Sequence, residues 1–574
     1  MARNAYIDWI NNGKPKHGFW FDEMSKARAQ FKVSLRYCRK HEENLRADSY
    51  AQAVANNDYK KFWNNISNTN NAKAGKYANV IDGCIGDKAI VERWRLYYNN
   101  LYNSISCDSD RKLFFDRLNH YDNTPSNVVL CVNRVVDICS NQKIGKSPGP
   151  DGISGEALKW ACKSLFVHLS FLFNLFLKFD YLPTEFMQSV IIPLVKNKTG
   201  DLSDLNNYRA IAISSVLSKV FESLLADYVH SCSIYDDFQF GFKSGHSTSL
   251  CTNVLKSTID YYRSYGSHVF TCFVDFSKAF DNVNYYKLFM KLLDDDINHK
   301  IVKILAYFYS NQTCFVRWRN AVSTAFNVGN GTRQGSVLSP YLFARYIRDL
   351  IGTVADSGVG CTINNQTVNI LAYADDIVLI SPSWRAMQQL ISILHMNSEK
   401  INLSCNTAKT VAMVFQPKEK RLSLGTIFPP FMLGDVDIKF VNKFKYLGHI
   451  LTDCMRDDED IKRELRNTFI RVNTLVKKFK YCSLPVKTLL FKSYCLCFYD
   501  LALWSCFYAY NLAKFRSCYN RCAKKFFGYK RQDSLSEMHI ICNIPSFDTV
   551  IHNANLIFKR CCLESCNSLV KLFI

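Results

Sequence analysis

The sequence predicts an α+β protein, and three features carry that expectation. Asn369 to Ala372 and Ile377 to Ile380 are apolar, β-prone flanks of a tight turn that presents Asp375 and Asp376. Ser267 to Phe276 is a second β-prone run, with Asp275 near its end and a helical stretch reaching Leu293 beyond it. Helical, basic segments occupy both ends of the chain, over residues 20–63 and from Asp460 onward.

Composition bounds what such a protein can be. At 574 residues, with 48% hydrophobic and 21% charged residues, the chain is long enough for several domains with substantial cores. Its net charge of +22 is spread along the sequence and not held in a tail, which points to a polyanionic partner. Nucleic acid fits better than a membrane surface, because no amphipathic basic helix dominates. The N-terminus has no apolar signal core, so the 23 cysteines read as buried or free thiols in a reducing compartment. Residues 489–510 are apolar, but Lys492 and Asp500 interrupt them, and a buried helix is expected there instead of a membrane span.

Taken in order, residues 20–63 interleave Lys26, Arg28, Lys32, Arg36, Arg39 and Lys40 with Phe31, Tyr37 and Tyr59. Such a stretch suits a nucleic-acid backbone, although a charge run is also what a solvated helix face shows. Asn64 to Asn79 is polar and turn-rich, and a loop is expected. Glu92 to Leu101 reads as a helix. Gly145 to Ile153 is a dense turn cluster before a helix starting near Ser154, but it lacks the P-loop spacing, which excludes an NTPase of that kind. Leu165 to Phe179 is an apolar helix too short to span a bilayer. Ser189 to Val195 reads as a strand, followed by Lys196, Lys198 and Asn207-Tyr208-Arg209, cations that could hold a phosphate chain. Ser381 to Lys400 is helical, and Thr410 to Phe415 and Phe444 to Leu451 are strands.

Adjacent carboxylates sit badly in an apolar hairpin, since each repels the other and resists losing water. A divalent cation cancels that repulsion, and Mg²⁺ favours one or two carboxylates completed by substrate phosphates. Taken alone, Asp375-Asp376 reads more readily as a solvated turn, and it needs a second carboxylate and a nucleotide pocket before it means catalysis. Asp275 lies 100 residues earlier, at the C-terminal end of a strand and before a helix. If the two strands are neighbours, the three carboxylates meet and could hold two metal ions for in-line nucleotidyl transfer. Between them, Gly331-Thr-Arg-Gln334-Gly335 can bring backbone close to a ligand, and Ser339-Pro340 is a good helix start. Near the C-terminus, Cys518, Cys522, His539 and Cys542 are spaced too widely for a zinc knuckle and read as buried thiols with a surface histidine.

Three motifs now appear together. Phe273-Val-Asp275-Phe-Ser-Lys-Ala-Phe280-Asp281, Gly331-Thr-Arg-Gln-Gly-Ser-Val-Leu-Ser-Pro340 and Tyr373-Ala-Asp-Asp376 resemble the palm motifs of reverse transcriptases, in the family's order. More specifically, the chain resembles the LINE-type reverse transcriptases of non-LTR retrotransposons. Lys146 to Ile153, Asn207-Tyr-Arg209 and Gln239-Phe-Gly-Phe-Lys-Ser-Gly-His-Ser-Thr248 look like that group's fingers, and Asn406 with Lys409 and Phe444-Lys-Tyr-Leu-Gly448 like its later palm motifs.

The resemblance implies a right-hand polymerase: a helical basic N-terminal extension over 1–139 that binds RNA, fingers and an antiparallel-sheet palm over 140–452, and a helical thumb over 453–574. It implies that Asp275, Asp375 and Asp376 ligate two Mg²⁺ ions, with Mn²⁺ a possible substitute, and that Lys409 donates a proton to the leaving pyrophosphate. Lys196 and Arg209 would grip the triphosphate, Gln334 and Gly335 would position template and incoming nucleotide, and Phe280 would exclude a 2′-hydroxyl. Gln239, Gly241, Phe444, Tyr446, Leu447 and Gly448 would contact template or primer. The expected reaction is RNA-templated DNA synthesis from deoxynucleoside triphosphates onto a DNA primer, inside the cell and, by resemblance, in the nucleus. A nucleic-acid-binding relic without activity, or an RNA-templated RNA polymerase, are the rival classes.

Two positions depart from the family pattern. Ala210 follows Arg209 where proline is usual, and Arg348 stands where an uncharged or acidic residue is more common. No apurinic-type endonuclease motif is evident in residues 1–139, and no restriction-type nuclease follows the palm. The chain is therefore expected to be a fragment of a longer protein or a degenerate copy, with the nick supplied by another domain or protein.

Overall fold

Among the described residues, apolar runs and alternating strands become two main sheets and three small two-stranded ones in the larger of the two units into which the chain divides. The computed structural model describes residues 2–71, 78–121, 128–231, 237–418 and 428–574. The larger unit comprises Tyr77–Met455 with Lys559–Ile574, and the smaller comprises Met1–Lys76 with Arg456–Phe558.

The larger unit's main strands, in chain order, are β1 (Gln188–Val195), β2 (Tyr208–Ser214), β3 (Val269–Val274), β4 (Thr313–Trp318), β5 (Ile370–Tyr373) and β6 (Asp376–Ser381), then β7 (Val411–Phe415), β8 (Phe431–Leu433), β9 (Val436–Phe440), β10 (Lys443–Tyr446) and β11 (His449–Thr452). The first sheet has the order β5-β6-β3-β7-β9-β8. Its pairs are antiparallel except β7 with β9, which run parallel, so the sheet is mixed at one edge where a fully antiparallel one is expected. The β8–β9 hairpin turns at Gly434, at φ 60°, and it is this reversal that sets β9 in the same direction as β7.

All six residues of β3 are buried, which is why its sequence shows no polar alternation. On one face, Phe270, Cys272 and Val274 join a core with Met387, Leu390, Ile391 and Leu394 of the helix Trp384–Lys400. On the other, Phe273 stacks on Phe444 at 4.5 Å and meets Tyr446 at 5.2 Å, both from β10. Each large apolar side chain buried here contributes roughly 1.5–3 kcal/mol. The strand that leads into Asp275 is thereby held from both faces.

The second sheet has β1 between β2 and β4, antiparallel to the first and parallel to the second. The helix Asp87–Leu101 packs on β4, with Trp94 against Tyr208 at 5.0 Å and Trp318 at 6.0 Å. Ile81, Trp94, Tyr98, Phe114 and Val135 all belong to the larger unit's core. The packing thus shows no division at residue 139, in contrast to the expected boundary.

The smaller unit is helical. Tyr50, Phe62 and Ile66 share one core with Phe479, Phe491, Phe515 and Tyr519, joining the N-terminal helices to those after residue 456. Two local expectations change here. Where a loop is expected over Asn64 to Asn79, the helix Tyr59–Asn71 runs into the stretch, because Phe62 and Ile66, four residues apart, bury one face; residues 72–77 lie outside the described ones. Residues 489–510 are not one helix: Leu484–Cys495 ends, Asp500 turns through a left-handed φ of 56°, and Ala509–Phe527 begins anew. Among the described residues, no helix is long and apolar enough to cross a membrane.

Candidate active site

The register of the first sheet brings the carboxylates together. β5 and β6 pair to the end, Tyr373 opposite Asp376, leaving Ala374 and Asp375 as a two-residue turn with Ala374 left-handed at φ 58°. β6 pairs with β3, last at Ile377 opposite Val274, so one step further along the ladder Asp376 stands beside Asp275. The segment after β3 is fastened from the other side. Asn406 N–H donates to the Asp275 carbonyl at 2.7 Å, and the Asp275 N–H donates to Thr410 Oγ1 at 3.3 Å. Lys409, on the same turn, places Nζ 3.5 Å from Asp275 Oδ2.

The charges respond to this crowding. Desolvation raises the Asp375 carboxyl above the usual range and the Asp275 charge adds to the rise, while Arg209 opposes it. Asp376 is pushed up to about 6 by desolvation, with Asp375 and Asp275 contributing. Facing them is a group of cations. Lys196, whose Nζ donates to the Asn206 carbonyl at 3.0 Å, has its ammonium pKa lowered by desolvation and then by Lys409, with Lys278 and Arg209 acting in the same sense and Asp281 opposing. Arg209 is exposed on β2, opposite Leu194 of β1. Like charges held this close create a field suited to an anion between them and to a cation among the aspartates.

The loop Gly331–Ser336 is clamped onto the segment after Asp275. Gly331 N–H donates to the Val283 carbonyl at 2.8 Å and Thr332 N–H to the Phe280 carbonyl at 2.7 Å. A Cβ at residue 331 would stand 2.6 Å from the Asp281 carbonyl oxygen, and one at Gly335, with φ 116°, 2.8 Å from the Ala212 oxygen. Both positions therefore exclude any side chain. The Gln334 carbonyl accepts from Ala212 N–H at 2.9 Å, and its Nε2 donates to Asp281 Oδ1 at 3.4 Å. Phe280 is half-buried, stacked on Phe343 at 4.1 Å with Phe242 edge-on at 6.2 Å.

Other expected nucleic-acid contacts point inward. Gln239 and Gly241 are buried against the turn at Ala374, with the Gln239 carboxamide bonded to the Ala374 backbone. Tyr446 is buried beneath β3 with its hydroxyl 3.5 Å from Cys251 Sγ, and Phe444 packs on Phe273. Leu447 and Gly448, at φ 45° and 94°, form the two-residue turn of the β10–β11 hairpin. Phe444 and Tyr446 brace the strand that leads into Asp275; the turn alone reaches the hairpin tip.

Three groups at the site carry no role expected from the sequence. Asp281 is buried and accepts from Tyr102 Oη at 3.3 Å. Lys278 Nζ donates to Tyr97 Oη at 2.9 Å. Glu222 is fully buried and holds Arg333 at 2.9 Å, Ser336 Oγ at 2.6 Å and Val337 N–H at 2.8 Å. Asp281 and Lys278 lie inside the motif that begins at Phe273; Glu222 has no local signal. In the smaller unit, Cys518 and Cys522 Sγ are 3.9 Å apart, while His539 Nδ1 faces the Ile544 carbonyl at 3.3 Å.

Among the described residues, no group of three or more His, Cys, Asp or Glu side chains is arranged to hold a metal ion unaided. Asp275, Asp375 and Asp376 nonetheless fit a hard divalent cation. They are all-oxygen donors, their mutual charge asks for compensation, and Lys409 already supplies part of it. The missing donors are those that substrate phosphates provide.

A central strand ending in one carboxylate, a neighbouring hairpin carrying two more, and a facing group of lysines and arginine define the palm of a nucleotidyl-transferring polymerase. Residues 195–451 match the family model described as reverse transcriptase (RNA-dependent DNA polymerase), and that segment is a reverse transcriptase domain. The "Putative 115 kDa protein in type-1 retrotransposable element R1DM" of Drosophila melanogaster is 26% identical over 56% of this chain and 30% of its own length. The "Probable RNA-directed DNA polymerase from transposon BS" of the same species is 27% identical over 60% and 38%. The "RNA-directed DNA polymerase from mobile element jockey" of Drosophila funebris is 23% identical over 63% and 40%. By their names these relatives come from a retrotransposable element, a transposon and a mobile element, and the match spans about a third to two-fifths of their length. Among solved structures, apo telomerase from Candida tropicalis is matched over 71% of this chain and 72% of that one, at 12% identity and a TM-score of 0.36.

Proposed function

We propose that the chain performs RNA-templated DNA synthesis, joining deoxynucleoside triphosphates to the 3′-hydroxyl of a DNA primer with release of pyrophosphate. The observation that supports this most is the meeting of Asp275 with the Tyr373–Asp376 turn opposite Lys196, Arg209, Lys278 and Lys409. Asp275, Asp375 and Asp376 would hold two Mg²⁺ ions, or Mn²⁺ in their place. When bound, such ions lower the pKa of the attacking hydroxyl and neutralise charge on the departing pyrophosphate. The chain's own groups do the rest. Lys196 and Arg209 would orient the triphosphate, and Lys409, beside Asp275, would protonate the leaving group. Gln334 and Gly335, held against Ala212 of β2, would position template and incoming nucleotide, and the Phe280 ring, stacked on Phe343, would crowd the sugar's 2′ position. RNA template and DNA primer are the proposed partners, with the nick made by another domain or protein.

Primer extension on an RNA template, with deoxynucleotides set against ribonucleotides, tests this reading. Deoxynucleotide incorporation is expected, and Asp375→Ala should reduce it to background. Preference for ribonucleotides would favour an RNA polymerase. Activity that survives Asp375→Ala would remove the aspartates from the reaction, and no activity in the native chain would leave a binding protein.

A further inference from the structure

A two-residue hairpin turn calls for a positive φ at its first central residue, and here that residue is Ala374, at φ 58°, with a Cβ where glycine is usual. Contacts from outside the hairpin hold it there. Gln239 is 3% exposed, and its carboxamide grips both polar groups of one residue: Oε1 accepts from Ala374 N–H at 2.9 Å and Nε2 donates to the Ala374 carbonyl at 3.3 Å. The same Oε1 accepts from Gly241 N–H at 2.8 Å, which fixes the amide's own orientation. The strand-like segment around it is tied to β5, Phe240 N–H donating to the Ala372 carbonyl and Ala372 N–H to the Phe238 carbonyl, each at 2.8 Å. Gly241 permits the approach, because a Cβ there would stand 2.4 Å from the Ala374 nitrogen.

We propose that Gln239 is a positioning residue for Asp375 and Asp376, clamping the Ala374 backbone and so setting where the two carboxylates stand. It does not contact template or primer. A buried amide that satisfies three backbone groups at once makes the turn's geometry a property of the fold and not of bound substrate. Misplacing reacting groups by about 1 Å is enough to cost on the order of 10²-fold in rate. The proposal rests on the polymerase reading only for its kinetic arm.

The test compares native chain, Gln239→Ala and Gln239→Glu by amide hydrogen exchange, primer–template affinity and single-nucleotide extension. In Gln239→Ala, the Ala374 and Gly241 amides should exchange roughly fivefold faster or more, with the rest of the sheet unchanged. Primer–template affinity should stay within about twofold, while kcat falls on the order of 10²-fold and the nucleotide KM moves far less. Gln239→Glu keeps the oxygen acceptor for the Ala374 and Gly241 N–H groups but loses the donor to the Ala374 carbonyl, so it should restore the protection of both amides only in part. Unchanged exchange at Ala374 in Gln239→Ala would overturn the proposal. So would loss of protection across the whole sheet, or a loss of primer–template affinity at unchanged kcat. If the native chain extends no primer, the function fails but the exchange result still decides the clamp.

Discussion

Asp281 shows how a single buried carboxyl registers its surroundings. Burial pushes it up to about 6, although Tyr102, Lys278, Lys196 and Gln334 all pull the other way. A folded-state pKa above the ordinary value of 3.8 means that the native protein holds this proton more tightly than the unfolded chain does. The stabilising contribution is therefore complete below about pH 4 and lost as the pH rises through about 6. Asp281→Asn is neutral at every pH and keeps an oxygen for Tyr102 and Gln334. Its stability should exceed the native chain's by an amount that grows with pH, reaching at most about 3 kcal/mol at pH 8. Denaturant midpoints at pH 5 and pH 8 measure this. An equal change at both values would show that the group is ionised throughout. The sequence places this residue within a motif, yet its burial comes from packing against the 331–336 loop, which no local pattern announces.

At the level of elements, the loop Gly331–Ser336 depends on a partner far along the chain. Glu222, in the helix Val216–Ser231, meets Arg333 across 111 residues, and the guanidinium also lies 4.5 Å from the Phe308 ring centre. Both charges are buried, so removing one strands the other without water. Glu222→Ala should cost about 3–5 kcal/mol, while the double change Glu222→Leu with Arg333→Met should cost far less. Chemical denaturation of the three proteins decides this, and equal losses in the single and double variants would show that packing, not charge, holds the loop. The contrast explains what is legible in a sequence. The hairpin around Asp375 is readable because a two-residue turn between apolar flanks is a local pattern, and β3 because its apolar run is unbroken. The helix through Asn64–Asn71 is not, since its polar composition hides the one face that Phe62 and Ile66 bury. In the stretch 489–510, apolar content signals burial but not where the backbone turns, and Asp500 turns it. Gln239 reads as a nucleic-acid contact because a sequence does not say which way a polar side chain faces.

For the molecule as a whole, the division into two units is the least legible feature, because the smaller unit's core joins Tyr50 and Phe62 to residues some 400 positions later, such as Phe479. The charge is fully legible, and it carries the last prediction. A net +22 over a chain with a polymerase palm should make nucleic-acid affinity fall with salt, because each phosphate bound by a cation releases counterions. The helix Phe19–Lys40 offers a place to localise that effect. Among its residues only Met24 is buried, and Lys32, Arg36 and Arg39 recur at helical spacing along an exposed face. Replacing these three with glutamine leaves the core untouched, so the melting temperature should not move, surface changes of this kind staying within about 0.5 kcal/mol. If the face lies along a nucleic-acid backbone, the slope of log affinity against log salt for an RNA-templated primer should become shallower by about 0.7–0.9 for each phosphate no longer neutralised, roughly two units in total. The measurement is a binding titration from 50 to 200 mM salt, a range over which 6–10 neutralised phosphates correspond to roughly 10³–10⁵ in affinity. Native and variant slopes that coincide would assign the face to solvent and place the electrostatic footprint on the cations around Lys196 and Arg209 instead.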